Sequence, residues 1–277
     1  MNGVSATKIT FLGCGSSSGV PGIGIGWGRC NPDNPKNNRL RQSILVETGG
    51  KRLLIDTSPD LRQQLLRAGT ADIDAVLMTH AHADHLHGID DLRGVNKHIK
   101  RPLPVYANAE THAHIKQCFS YTLKPLPDDF NGVFVRPVLE MTEFVPGDDL
   151  DVLGVPVGTF LQDHGYSRTV GFTIDKCVYS TDVKALAEDV LDRLGAMNLD
   201  VWIIGTFRWE KHWTHAHVDL ALEWIDRVKP KRAILTHLSP DIDYDELTRY
   251  LPAHVRAAFD GMRIETDAAG GEVSISD

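Results

Sequence analysis

The chain has 277 residues, 42% of them hydrophobic, and 29 Lys and Arg against 37 Asp and Glu give a formal charge of −8. That apolar share can bury a substantial core, and the acidic balance argues against general binding of nucleic-acid backbone, so no stable nucleic-acid complex is expected. No stretch approaches the roughly 18 apolar residues of a membrane helix, the start MNGVSATKITFLG lacks the pattern of a signal peptide, and the four scattered cysteines form no C-x-x-C pair. The expectation is a cytoplasmic protein without a membrane partner, folded as one domain over residues 1–277.

In chain order, KITFLG (8–13) reads as a strand, and the Gly- and Ser-rich residues 13–30 as a loop. SILVET (43–48) and RLLIDT (52–57) are the next strands. Residues 58–69 read as a helix, with Ser58 as N-cap, Pro59 in the first turn and Gly69 as the stop. AVLMTH (75–80) is a strand and 108–119 a helix. Residues 120–150 are rich in Pro, Asp and Gly and read as an irregular surface excursion. VPVGTFLQDH (155–164), TVGFTI (169–174) and CVYSTD (177–182) are strands, followed by a helix over 183–195. DVWIIGT (200–206), a helix over 217–229, RAILTH (232–237), a helix over 243–255, MRIET (262–266) and EVSIS (272–276) complete the pattern. Strands that cluster early and then alternate with helices imply two sheets with helices packed outside.

Candidate metal ligands fall at the ends of four of these strands: His80, His164, Asp182 and His237. If the four strands lie side by side, their ends converge where open sheets hold ligands. The stretch THAHADHLHG (79–88) adds His82, Asp84 and His85. It follows a strand directly and is expected on a turn rather than in a helix, so one short segment can feed two neighbouring ions. Imidazole and carboxylate donors without thiolates suit Zn²⁺, Mn²⁺ or Fe²⁺.

H-x-H-x-D-H followed by a distant His, Asp and His resembles the metallo-β-lactamase superfamily. The resemblance implies an α+β fold, a four-layer αβ/βα sandwich, with two divalent ions, Zn or Mn, at one edge of the sheets. It assigns His80, His82 and His164 to the first ion, Asp84, His85 and His237 to the second, and Asp182 as the bridge. It also matches Asp56, at the end of LLIDT, to an early aspartate that orients ligands. Two such ions can hold a hydroxide between them and clamp both oxygens of a phosphoryl transfer, but the same chemistry serves esters and lactams.

Other segments narrow the reaction. FLGCGSSSGVPGIG, RLRQSILVET and HADHLHGIDDLR are most similar to the phosphoribosyl 1,2-cyclic phosphate phosphodiesterases of the carbon–phosphorus lyase pathway. The implied activity is hydrolysis of a small, cyclic sugar or nucleotide phosphodiester. Within that branch a histidine ahead of the last helix faces the leaving group: His217 is the best match and His215 the alternative, either one donating a proton to the departing oxygen. Asp84 counts among the catalytic groups. His215, Ser17 in the Gly/Ser loop and Arg168 are the expected substrate contacts, with Arg41 and Arg93 as further partners for phosphate charge. Relatives carry several cysteines after GVP that hold a structural zinc; Cys30 stands alone here, so none is expected. The rival readings are a tRNA 3′-end processing endonuclease and a lactonase or thioesterase of the same fold. Aromatics within 202–213 are expected to line a pocket or an interface, which leaves a homodimer open.

Overall fold

The computed structural model describes residues 6–267 and 273–276; residues 1–5, part of the start read above, and Glu272 of the last expected strand lie outside them. In chain order the strands are β1 (Lys8–Gly13), β2 (Ser43–Thr48), β3 (Lys51–Ile55), β4 (Ala75–Leu77), β5 (Leu103–Asn108), β6 (Leu139–Phe144), β7 (Asp149–Val152), β8 (Val155–Asp163), β9 (Arg168–Ile174), β10 (Cys177–Ser180), β11 (Val201–Gly205), β12 (Arg232–Thr236), β13 (Val255–Ala257), β14 (Arg263–Thr266) and β15 (Val273–Ser276). The helices are α1 (Leu61–Ala68), α2 (Ala83–Leu86), α3 (Leu92–Ile99), α4 (Ala109–Cys118), α5 (Glu188–Ala196), α6 (Val218–Val228) and α7 (Tyr244–Tyr250). One sheet has the order β15-β14-β1-β2-β3-β4-β5-β6 and the other β13-β12-β11-β10-β9-β8-β7.

The strand alternation sorts side chains into layers. In β2 and β3, Ile44, Val46, Leu53 and Ile55 point between the sheets, while Leu45 and Leu54 face the helices outside. In β11, Val201 and Ile203 face inward, and Trp202 and Ile204 face outward. Both faces are covered, so β11 and the buried spans 44–46 of β2 and 53–55 of β3 are unbroken apolar runs rather than alternating ones. The outer face of the first sheet packs on Leu61 and Leu65 of α1, Leu92 and Val95 of α3 and Ile115 of α4. The outer face of the second packs on α5, α6 and α7 through Leu191, Leu194, Trp224, Ile225 and Leu247. The result is the four-layer αβ/βα sandwich of the metallo-β-lactamase fold.

Several local expectations change. Ser58 is not the cap of α1: the helix begins at Leu61, and the Ser58 hydroxyl accepts from Asp60 N (3.2 Å) and donates to Gln64 Oε1 (3.0 Å). Gly69 does end it, with φ 65°. Residues 183–187 stay out of α5 because their backbone is bonded elsewhere, Lys184 N to Asp163 O (2.7 Å) and Val183 O to Ala216 N (2.6 Å). Residues 120–150 are not wholly irregular, since β6 closes the edge of the first sheet there and β7 begins. Trp202, expected among the pocket aromatics, is fully buried and donates from Nε1 to Ser180 Oγ (3.1 Å). No helix among the described residues is long and apolar enough to cross a membrane.

Candidate metal centre

In the second sheet β8 and β10 each run antiparallel to β9, and β10, β11 and β12 are parallel. The strands β8, β10 and β12 therefore point the same way and end at one edge, each followed within two residues by His164, Asp182 and His237. They are not adjacent: β9 lies between β8 and β10, and β11 between β10 and β12. The fourth strand, β4, belongs to the other sheet, so the cluster forms where both sheets end. His82 caps the short helix α2, which carries Asp84 and His85 in a single turn; the segment is partly helical, against the expected plain turn.

Two sets of donor atoms result. Those of His80, His82, His164 and Asp182 lie within 4.8 Å of one another, and so do those of Asp84, His85, Asp182 and His237. Asp182 splits between them. Its Oδ2 faces His164 Nε2 (3.5 Å) and His80 Nε2 (3.7 Å). Its Oδ1 faces His85 Nε2 and His237 Nδ1, both at 3.2 Å.

The outer nitrogens fix which inner ones carry lone pairs. His164 Nδ1 is 2.7 Å from Thr214 O, which only accepts, so the proton is on Nδ1. His85 Nδ1 is 2.7 Å from Asp56 Oδ2, again an acceptor. The Thr79 hydroxyl donates to Asp56 Oδ2 (2.8 Å) and so accepts from His80 Nδ1 (2.9 Å). With the protons held outside, Nε2 of all three histidines turns a lone pair toward the Asp182 carboxylate. Buried Nε2 of His80 and His85 and Nδ1 of His237 make no hydrogen bond. Acceptors facing acceptors in a buried cluster repel unless a cation sits between them, and this donor set suits divalent ions.

Electrostatics agrees. Burial alone would raise the Asp182 carboxyl, but His237, His85 and His215 hold it well below the ordinary range. Burial also works against a charged His85, yet Asp182, Asp84 and Asp56 together raise it well above its usual value. Asp56, Asp182 and His237 all adopt left-handed backbone, φ 64°, 50° and 59°. Three of the eight non-glycine residues with left-handed backbone among the described residues thus stand at this cluster. Gln42, not singled out by any motif, positions His237: its buried Oε1 accepts from Thr236 Oγ1 (2.7 Å) and His237 N (3.2 Å) while its Nε2 donates to Tyr179 Oη (2.9 Å).

The remaining expected residues separate. His215, rather than His217, stands against the cluster. Its ring stacks on His237 (5.0 Å between centroids) and Phe207 (4.9 Å) and meets His164 edge-on (4.7 Å). His217 caps α6, and among the described residues its side chain makes no hydrogen bond, ion pair or ring contact. Ser17 is exposed, and it is its neighbour Ser16 that is buried beside the His237 turn, bonded from N to Leu238 O (3.2 Å). Arg41 is committed to Asp60 through Nε (2.9 Å) and Nη2 (2.6 Å). Arg93 lies out on α3, reaching Val135 O at 3.4 Å. Arg168 opens β9, exposed, at the hairpin that follows His164. Cys30 is buried and donates to Pro240 O and Ile242 O at 3.4 and 3.1 Å.

The sequence profile of the beta-lactamase superfamily domain matches residues 51–238, from β3 through the turn after His237. The chain belongs to the beta-lactamase superfamily. Within it the chain is PhnP-like: a solved diphosphatase of the PhnP family is 32% identical, with TM-score 0.84 over 94% of this chain and 97% of its own. An octanoyltransferase of Porphyromonas gingivalis is 33% identical over 265 residues, 95% of this chain but 52% of that protein. A ribonuclease Z of Bradyrhizobium diazoefficiens is 45% identical over 182 residues, 51% of this chain and 60% of its own length. The chain thus spans about half to three fifths of these two curated relatives. The short form of human tRNase Z shares the superfamily fold, with TM-score 0.63 at 20% identity.

Proposed function

We propose that this chain hydrolyses small phosphodiesters with two divalent ions. His80, His82 and His164 would hold one ion with Asp182 Oδ2; Asp84, His85 and His237 would hold the other with Asp182 Oδ1. The observation that carries this reading is the Asp182 carboxylate divided between two sets of histidine lone pairs. Zn and Mn both accept these ligands. When bound, the ions supply Lewis-acid activation of water and neutralise charge at phosphorus. The likeness to a diphosphatase and to ribonuclease Z supports phosphorus–oxygen bonds rather than lactones or thioesters as the target.

The chain's own residues supply the rest. Asp56 holds the His85 proton outward and, through Thr79, that of His80, so that both rings keep a lone pair aimed inward. His215 takes the role expected of His217. Its buried Nδ1 has no hydrogen-bond partner, and burial lowers its pKa to about 3, so in the free protein the ring is neutral rather than an imidazolium. Bound phosphate charge would raise its proton affinity, and the ring would hand a hydrogen bond or proton to the departing oxygen. His215→Ala is therefore expected to lower turnover of an alkyl phosphodiester by about 10²-fold or more. A p-nitrophenyl ester, whose phenolate leaves unaided, is expected to be spared, and His217→Ala to change neither. Equal losses on both esters with metal retained would remove His215 from this role.

A second reading, cleavage of precursor tRNA, is favoured by the ribonuclease Z likeness over half the chain. The charge of −8 works against it. Offering the metal-loaded protein precursor tRNA beside small diesters separates the two.

A further inference from the structure

The wall beside the metal centre carries two large aromatic side chains that the fold leaves in solvent. His82 is the exposed ligand, so the centre opens on its side, and its ring lies 5.1 Å from that of His164. His164 begins the β8–β9 hairpin, whose tip bears Tyr166, 92% exposed. Opposite it runs the segment containing Trp213, 76% exposed. The two segments are locked together. His164 Nδ1 donates to Thr214 O (2.7 Å), and a Cβ on Gly165, at φ 76°, would stand 2.8 Å from Trp213 O and 2.9 Å from Thr214 Cγ2. Only glycine allows this approach. The turn under Trp213 is held in turn, as Thr214 N and Oγ1 both meet His212 Nδ1, at 3.4 and 3.2 Å.

Tyr166 and Trp213 therefore flank one rigid contact, one residue to either side of it, next to a metal ligand. Neither packs on another described ring. Exposed Trp and Tyr pay no part of the core's stability, and a pair fixed at the mouth of a site marks a binding surface. Arg168, two residues after Tyr166, is exposed and lines a separate cavity with Leu161, Leu186 and Arg193, so it takes no part in this surface.

We infer that Trp213 and Tyr166 form a stacking wall for a planar base, so that the substrates are phosphodiesters or diphosphates bearing a nucleoside. This rests on the phosphodiesterase reading above and narrows it. Aromatic faces grip any nucleobase without hydrogen-bond readout.

The test compares two esters with the same leaving group: the p-nitrophenyl ester of thymidine 5′-monophosphate, and methyl p-nitrophenyl phosphate, which has no base. With metal-loaded protein, KM is expected to be about tenfold or more lower for the thymidine ester. Trp213→Ala should raise that KM by about tenfold with kcat kept, and Tyr166→Ala by less, while kcat/KM for the methyl ester stays within about twofold. Titration with AMP, followed by isothermal calorimetry, should show saturable binding that Trp213→Ala abolishes. Equal effects on both esters, or unchanged KM in both variants, would overturn the inference, since the wall would then hold the leaving group or only support the hairpin. If neither ester turns over, the phosphodiesterase reading falls, and the AMP titration alone decides the wall: binding lost in Trp213→Ala supports it, and absence of binding in the parent protein overturns it.

Discussion

Asp56 shows how a single side chain governs the centre. Fully buried, it accepts from Thr79 N (2.8 Å) and Thr79 Oγ1 as well as His85 Nδ1, and burial pushes its carboxyl up while His85 and Thr79 pull it down. Asp56→Asn keeps the shape but removes the charge that keeps His85 oriented. Metal affinity or activity should drop by about 10–100-fold, measured by metal titration, with a small effect on folding. Asp260 gives a prediction on stability. It accepts from Cys14 N (3.0 Å) and Leu40 N (2.8 Å), yet burial lifts its pKa from 3.8 to about 6. The folded state thus binds this proton more tightly than the unfolded state. The resulting penalty is absent below 3.8, grows through about 6 and is complete above, an upper bound of about 3 kcal/mol. Between pH 7.5 and 5.5 the parent protein should gain thermal stability relative to Asp260→Asn; a constant difference in Tm would contradict this. Four of the candidate ligands were legible as histidines and a carboxylate at strand ends, and His82, Asp84 and His85 as a dense run after one of them, whereas Asp56 was reached through the family resemblance. Gln42 was not, since one buried amide has no pattern. The choice between His215 and His217 needed the third dimension, because two residues so close both precede α6.

At the level of elements, strand ends do the positioning. Gly205, last in β11, lies under the Asp182 turn, where an added Cβ would stand 2.8 Å from Asp182 N and 3.1 Å from Thr181 Cα. Both neighbours are backbone and cannot swing aside. Gly205→Ala should therefore displace Asp182, costing about 1–3 kcal/mol of stability and at least tenfold in activity; chemical denaturation and metal content would register it. The buried strands were read closely from sequence, β1 and β2 at their full extent, because burial on both faces leaves unbroken apolar runs. The strands missed were β5, β6, β7 and β13. LEMTEF and DLDV are half-exposed edge or near-edge segments with polar outer faces, β13 is three residues long, and LPVYAN carries Pro104. Helix α3 was missed within LRGVNKHI, where Gly94 weakens the pattern.

On the scale of the whole molecule, the two sheets work as one frame. The first contributes β4 with its four donors and β3 with Asp56, and the second contributes His164, Asp182 and His237. Pairing of β1 with β14 ties the start of the described chain to its end, Lys8 opposite Glu265. The centre exists only once both sheets are docked, so it reports on the complete fold. The four-layer architecture was legible from the alternation of elements together with the ligand motifs; which strands neighbour one another was not, because that order is set by long-range pairing. The central claim is that Asp182 joins two ions. Elemental analysis of chelated and reloaded protein, parent beside Asp182→Ala, tests it most directly. Two divalent ions per chain are expected in the parent, and one or none in Asp182→Ala with activity lower by several orders of magnitude. Two ions and near-normal turnover in Asp182→Ala would contradict it.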